Sequence, residues 1–130
     1  MKNLLSISLV FILIGISCKS KVTNKETGAT YKEVDVAAAK ALIAENKDLI
    51  IIDVRTPEET EDGTIENAMT IDVENDNFES EVNKLDKSKS YLVYCRSGKR
   101  STRASNKMIE LGFMDITNML GGYLAWNEEE

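Results

Sequence analysis

The sequence contains no histidine. That absence removes the Ser-His-Asp triad, the Cys-His dyad and the His-Glu-x-x-His zinc site at once. Cysteine is nearly as scarce, with only Cys18 and Cys95, too few for a structural zinc site built on thiolates. No cofactor and no metal are therefore expected, and any thiol chemistry must draw on backbone dipoles and cations. No internal repeat and no low-complexity block occurs. Between Lys89 and Ile109 there is no Asp or Glu, although the chain carries 22 of them against 16 Lys and Arg, for a net charge of −6.

That acid-free window holds six cations, Lys89, Arg96, Lys99, Arg100, Arg103 and Lys107. A local basic site in an acidic protein points to a small anionic ligand focused by the local field. Nucleic acid is excluded as a partner, because it needs a broad basic face and would be repelled by the remainder. Inside the window, Tyr91 to Arg103 reads as an apolar run, a cysteine, a short loop with one glycine, and a helix start. This layout sets Cys95 at the carboxyl end of a strand among backbone N–H groups and positive charge, where a thiol ionises and an oxyanion can be held.

The first residues have the pattern of an export signal rather than of a fold. Met1-Lys2-Asn3 is a positive start, Leu4 to Ile16 is apolar apart from Ser6, Ser8 and Gly15, and Cys18 follows Ser17. The run is shorter than the ~20 apolar residues of a membrane span. A cysteine directly after such a run resembles a bacterial lipoprotein signal, in which the cysteine becomes the lipidated amino terminus. Residues 1–17 are thus expected as the signal peptide, with Cys18 lipidated and the protein exported to the periplasmic side as a membrane-anchored lipoprotein. Residues 18–30 are Lys, Ser, Thr, Asn, Glu and Gly rich and are expected as a flexible tether. A Cys18–Cys95 disulfide is the alternative for two cysteines in an exported chain. It would seal the one loop that looks built for reactivity.

Residues 31–130 then form a single domain. Strands are predicted at Tyr31–Val34, Leu49–Val54, Ala68–Val73, Ser90–Tyr94 and Ile116–Leu120. Between them, helices are predicted from Val36 to Glu45 behind the cap Asp35, from Thr56-Pro57 with its capping-box Glu59, over Asn77–Leu85, over Ser101–Leu111, and after Gly121-Gly122. Tyr123 and Trp126 are read as core, as are Met108, Met114 and Met119. Alternation of strand and helix gives an α/β domain with a mainly parallel central sheet flanked by helices on both faces. In such sheets the ligand lies beyond the carboxyl ends of the strands, where Cys95 and Asp53 to Arg55 fall.

Several blocks, in order, resemble the single-domain rhodaneses, a family of sulfurtransferases. They are Ile52-Asp53-Val54-Arg55-Thr56-Pro57-Glu58-Glu59, Gly63-Thr64-Ile65-Glu66-Asn67-Ala68, Tyr94-Cys95-Arg96-Ser97-Gly98-Lys99-Arg100-Ser101, Leu111-Gly112-Phe113 and Leu120-Gly121-Gly122-Tyr123-Leu124-Ala125-Trp126. Family members often have histidine where Thr64 stands and an aromatic where Thr60 stands. The resemblance implies a rhodanese-like fold and two-step sulfur transfer. Cys95 would take the outer sulfur of thiosulfate or a persulfide and pass it from a Cys95 persulfide to cyanide or an external thiol.

In that scheme Cys95 is the catalytic residue, and Arg96, Ser97, Gly98, Lys99 and Arg100 form the substrate-binding loop. The backbone N–H groups of Arg96 to Arg100 are expected to converge on the sulfur. Arg100 either binds the anion or pairs with an acid and braces the loop. Asp53 and Arg55 are expected to support the site through a hydrogen-bond network. Two other functions fit the same residues: a persulfide-carrying binding module, and a cysteine phosphatase of the same fold. The phosphatases have five residues between cysteine and closing arginine, and here there are four.

Overall fold

The computed structural model describes residues 21–23 and 28–130. The expected signal peptide 1–17, the lipidation site Cys18 and residues 19–20 and 24–27 of the expected tether lie outside the described residues. The elements run in the order β1 (Lys21–Thr23), β2 (Thr30–Val34), α1 (Val36–Glu45), β3 (Ile50–Asp53), α2 (Pro57–Thr60), β4 (Met69–Thr70), α3 (Phe78–Val82), β5 (Ser90–Tyr94), α4 (Lys99–Glu110), β6 (Asp115–Met119) and α5 (Gly122–Glu128). They build a six-stranded sheet in the order β1-β2-β6-β5-β3-β4. Strands β2, β6, β5, β3 and β4 are mutually parallel. β1 pairs antiparallel with β2, Lys21 facing Lys32 and Thr23 facing Thr30, so the expected tether contributes an edge strand.

The central strands β3 and β5 are continuous apolar runs because both of their faces are covered. Side chains alternate between the faces along a strand. On one face Ile52, Tyr91, Val93 and Cys95 pack with Ile116, Phe113, Phe78 and Val82, and with Ala104 and Met108 of α4. On the other, Ile51, Leu92, Tyr94 and Met119 pack with Val36 and Ala39 of α1 and with Ile65, while Tyr123 and Trp126 of α5 lie partly buried against them. Each large apolar side chain fully withdrawn from water contributes roughly 1.5–3 kcal/mol. These two layers therefore fix the sheet, and the sheet fixes where its loops emerge.

Helix ends follow local chemistry. Asp35 caps α1 by accepting the Ala38 N–H at 2.8 Å, and the chain leaves the helix at Asn46. The Glu59 carboxylate reaches back to the Thr56 N–H and hydroxyl, both at 3.1 Å, to start α2. Two elements and one side chain outside the cysteine loop differ from the sequence expectation. The strand expected over Ala68–Val73 is regular only at Met69–Thr70; beyond it the Ile71 and Val73 N–H groups still reach Asp53 O at 2.9 Å and Val54 O at 3.2 Å, outside the regular ladder. The helix α3 stops at Val82, and tight turns at Lys84 and Leu85 finish the segment. Met114, expected in the core, is 42% exposed, while its neighbour Phe113 is fully buried against Tyr91.

Candidate active site

Cys95 is the first residue after β5, and the chain reverses over Arg96, Ser97 and Gly98 to enter α4 at Lys99. Gly98 makes this possible. It has φ +117°, a conformation that a side chain disfavours, and it is the residue before the helix. The helix starts two residues earlier than its periodicity predicts, which closes a tight loop around the sulfur. Gly98 N–H donates to Cys95 Sγ at 3.1 Å, and the thiol lies 3.4 Å from Ser101 Oγ, to which it donates. The cysteine is 1% exposed, at the floor of the loop.

The amides are aimed by a neighbouring helix. The first turn of α5 presents unpaired N–H groups, as every helix start does. Tyr123 N–H donates to Cys95 O at 2.8 Å and Leu124 N–H to Arg96 O at 3.1 Å. In a trans peptide the N–H points opposite to the C=O. Pinning the Arg96 carbonyl outward onto α5 thus turns the Ser97 N–H to the sulfur side. The close approach depends on Gly122, where a Cβ would sit 2.5 Å from Cys95 O and from the Arg96 carbonyl.

Burial pushes the Cys95 thiol up. Hydrogen bonds to the thiolate from the Ser101 hydroxyl and from the Ser101, Gly98 and Ser97 amides pull it down, and the net value falls below that of an ordinary thiol. Of the expected amides, that of Gly98 makes a hydrogen bond to the sulfur and that of Ser97 also favours the thiolate, as does that of Ser101 beyond the expected set. Ser101 was not among the sequence candidates. Its signal was a serine on the inward stripe of α4, in line with Ala104, Ser105 and Met108, where an apolar residue is the ordinary choice.

The loop cations divide into two kinds. Arg100 makes a two-pronged pair with Glu59, Nη1 to Oε2 at 2.7 Å and Nη2 to Oε1 at 2.6 Å. Chiefly through that pair, the Glu59 carboxyl is held at a pKa of about 2. Of the two roles open to Arg100, the structure shows the brace. Arg96 and Lys99 are exposed and have no hydrogen bond or ion pair with a side chain among the described residues.

Asp53 and Arg55 form a buried ion pair. Both are buried, at 0% and 4% exposure. Arg55 Nη2 lies 2.7 Å from Asp53 Oδ2 and donates to Gly63 O at 2.7 Å, and Arg55 Nη1 donates to Glu59 O at 3.3 Å. The guanidinium stacks 4.1 Å over the ring of Tyr123, which also stacks with Tyr94. This buried pair therefore holds the start of α5, and α5 holds the cysteine loop. Thr64, one of the two departures from the family pattern, lines a separate cleft with Ile43, Lys47, Asn67 and Trp126.

The family model of the rhodanese-like domain matches residues 35–129. The chain is 38% identical over 98 residues to YtwF of Bacillus subtilis, whose name places it provisionally among the sulfurtransferases; the match covers 75% of this chain and 92% of that protein. It is 32% identical over 96 residues to the thiosulfate sulfurtransferase GlpE of Coxiella burnetii, covering 74% and 87%. A crystal structure of a rhodanese-related protein from Thermoplasma volcanium aligns with a TM-score of 0.67 at 30% identity, covering 76% of this chain and 93% of that one. The chain belongs to the rhodanese-like domain family and is a relative of its sulfurtransferases.

Proposed function

We propose that the protein moves sulfane sulfur from thiosulfate or a persulfide to cyanide or an external thiol through a persulfide on Cys95. The observation that carries this reading is the sulfur itself. It sits at the floor of a four-residue loop, with the Gly98 N–H at 3.1 Å and further donors from Ser97 and Ser101.

With thiosulfate, the Cys95 thiolate attacks the outer sulfur. A bond forms between the two sulfurs, the S–S bond of the donor breaks, and its electron pair leaves on sulfite. The exposed Arg96 and Lys99 attract the dianionic donor and ease the departure of the anion. The Cys95 persulfide carries its negative charge on the outer sulfur, within reach of the loop amides, which act as an oxyanion hole does. Cyanide or a thiolate then bonds to that outer sulfur, and the pair from the broken S–S bond returns to Cys95. No base is needed once the thiolate exists, so a chain without histidine is competent.

The phosphatase reading loses support from the geometry. Arg100 would have to grip the phosphate, yet Glu59 already engages both arms of its guanidinium. Cleavage of an aryl phosphate beside sulfur transfer compares the two directly. The expected result is thiocyanate formation from thiosulfate and cyanide, lost in Cys95→Ser with the fold retained. Phosphate release without thiocyanate overturns the assignment. A protein that takes up sulfur without passing it to small acceptors is instead a carrier for a protein partner.

The reading includes a location. Residues 1–17 act as a lipoprotein signal, Cys18 carries the lipid, and the domain works on the periplasmic side of a membrane. The sequence pattern around Cys18 supports this. Mass spectrometry of the native amino terminus, with membrane fractionation, tests it; a soluble protein with unmodified Cys18 contradicts it.

A further inference from the structure

The strand β1 enters the sheet from the end that carries the cysteine loop. It runs antiparallel to β2, with Lys21 opposite Lys32 and Thr23 opposite Thr30. Lys32 is level with Thr117 of β6, and Thr117 with Leu92 of β5. Lys21 is thus the end of β1 nearer the carboxyl ends of the parallel strands, and Leu92 lies three residues before Cys95. Cys18 precedes Lys21 by the same three residues, which reach at most about 11 Å whatever path they take. In the strand order β1 and β5 are three spacings apart, each about 4.8 Å. Between them, at the same end, Leu120 follows β6, and its N–H donates to Val34 O at 2.8 Å. Leu124 sits in α5 with its N–H on Arg96 O at 3.1 Å. Both leucines are 43% exposed. Beside them stand Arg96 and Lys99, exposed and without a side-chain partner among the described residues.

We propose that the end of the domain bearing Leu120, Leu124, Arg96 and Lys99 rests on an anionic lipid surface, so that the cysteine loop faces the membrane and sulfur enters and leaves at the lipid interface. This orientation rests on the lipid at Cys18 argued above. A free linker over residues 18–30 would let the domain turn any face to the bilayer. The pairing of β1 cuts the span before the first paired residue to three. The two leucines supply apolar side chains to the headgroup boundary, and the two cations meet its phosphates. Charge favours the same pose. The chain carries a net −6, so an anionic surface repels it as a whole and attracts the acid-free window. Met114, equally exposed at 42%, lies at the opposite end, directly before β6. There the neighbouring Lys87 is engaged with Leu111 O at 2.7 Å.

The test is tryptophan quenching in the protein as exported by its host, with the state of Cys18 read by mass. The chain is reconstituted into vesicles of phosphatidylglycerol and brominated phosphatidylcholine. Trp126 is the only tryptophan, so Leu124→Trp and Met114→Trp are each made together with Trp126→Phe. Leu124→Trp is expected to lose about half of its emission, since an interfacial side chain lies about 5–10 Å deep in the headgroup boundary. Met114→Trp, held away from the lipid, is expected to lose less than about a tenth. Where a variant folds poorly, the unaltered chain decides: hydrogen exchange over residues 120–124 slows on the vesicles, and exchange around Met114 does not. In a lipidated chain, position 124 unquenched or its exchange unchanged overturns the orientation alone and leaves this face to a protein partner. Quenching at position 114 as strong as at 124 also overturns it. A chain with no lipid on Cys18 overturns the location and the orientation together.

Discussion

Four basic side chains surround the cysteine loop and its support, and they are not alike. Arg55 is 4% exposed and paired with fully buried Asp53. Arg100 is about a quarter exposed and paired with Glu59. Arg96 and Lys99 are exposed and have no carboxylate partner among the described residues. In the sequence all four are simply positive residues near the ends of strands. In the fold the presence and depth of a carboxylate decide which cation supports the protein and which is left for a ligand. Cations held by buried acids should govern stability, and unpaired ones should govern affinity for an anion.

The sharpest way to break this comparison is to remove the deepest pair. Arg55→Ala leaves Asp53 charged, buried and unpartnered, and is expected to lower the unfolding free energy by about 3–5 kcal/mol, read from urea denaturation. A loss below about 1 kcal/mol would mean that Asp53 finds water or another donor, and the support role would fail.

Arg100→Ala should cost less, about 1 kcal/mol, since the pair is partly wet and screened. Its pH dependence has a definite sign. The Glu59 carboxyl lies at about 2 in the fold, against an ordinary 4.5. The stabilisation from the pair is therefore complete above the ordinary value, and it is lost as pH falls from about 4.5 to about 2. In Arg100→Ala that part of the acid sensitivity should disappear. Wild-type acid sensitivity in the variant would show that the Glu59 shift has another source.

The smallest effect on stability, within about 0.5 kcal/mol, is expected when Arg96 and Lys99 are both replaced by alanine. Here the ranking inverts. The double variant should raise the KM for thiosulfate about tenfold, equivalent to about 1.4 kcal/mol of lost binding, and should leave a neutral organic persulfide donor nearly unchanged. Equal losses for both donors would show that these cations do not act through charge.

The same contrast explains what could be read from the sequence. Local signals were legible. The apolar runs of β3 and β5, the Asp35 cap, the Thr56-Pro57-Glu58-Glu59 helix start and the Gly98 turn each depend on residues a few positions apart. The two-sided sheet followed from their alternation. Long-range pairings were not legible. Glu59 and Arg100 lie 41 residues apart, so the sequence left Arg100 between two roles. Gly122 was visible as a helix start, but its fit against the Cys95 and Arg96 carbonyls needs the fold. The sequence placed Cys95 within a set of amides, yet which amides face the sulfur depends on how α5 pins the loop. The edge strand β1 was hidden because its composition is that of a polar linker.

The central claim is that Cys95 accepts sulfur as a reactive thiolate. Its most direct test is intact and peptide mass measurement of the full chain after thiosulfate treatment at neutral pH, with sulfite quantified alongside. The account predicts a gain of the mass of one sulfur atom on Cys95, matched by one sulfite released and reversed by cyanide. An unmodified Cys95 with no sulfite released would contradict it.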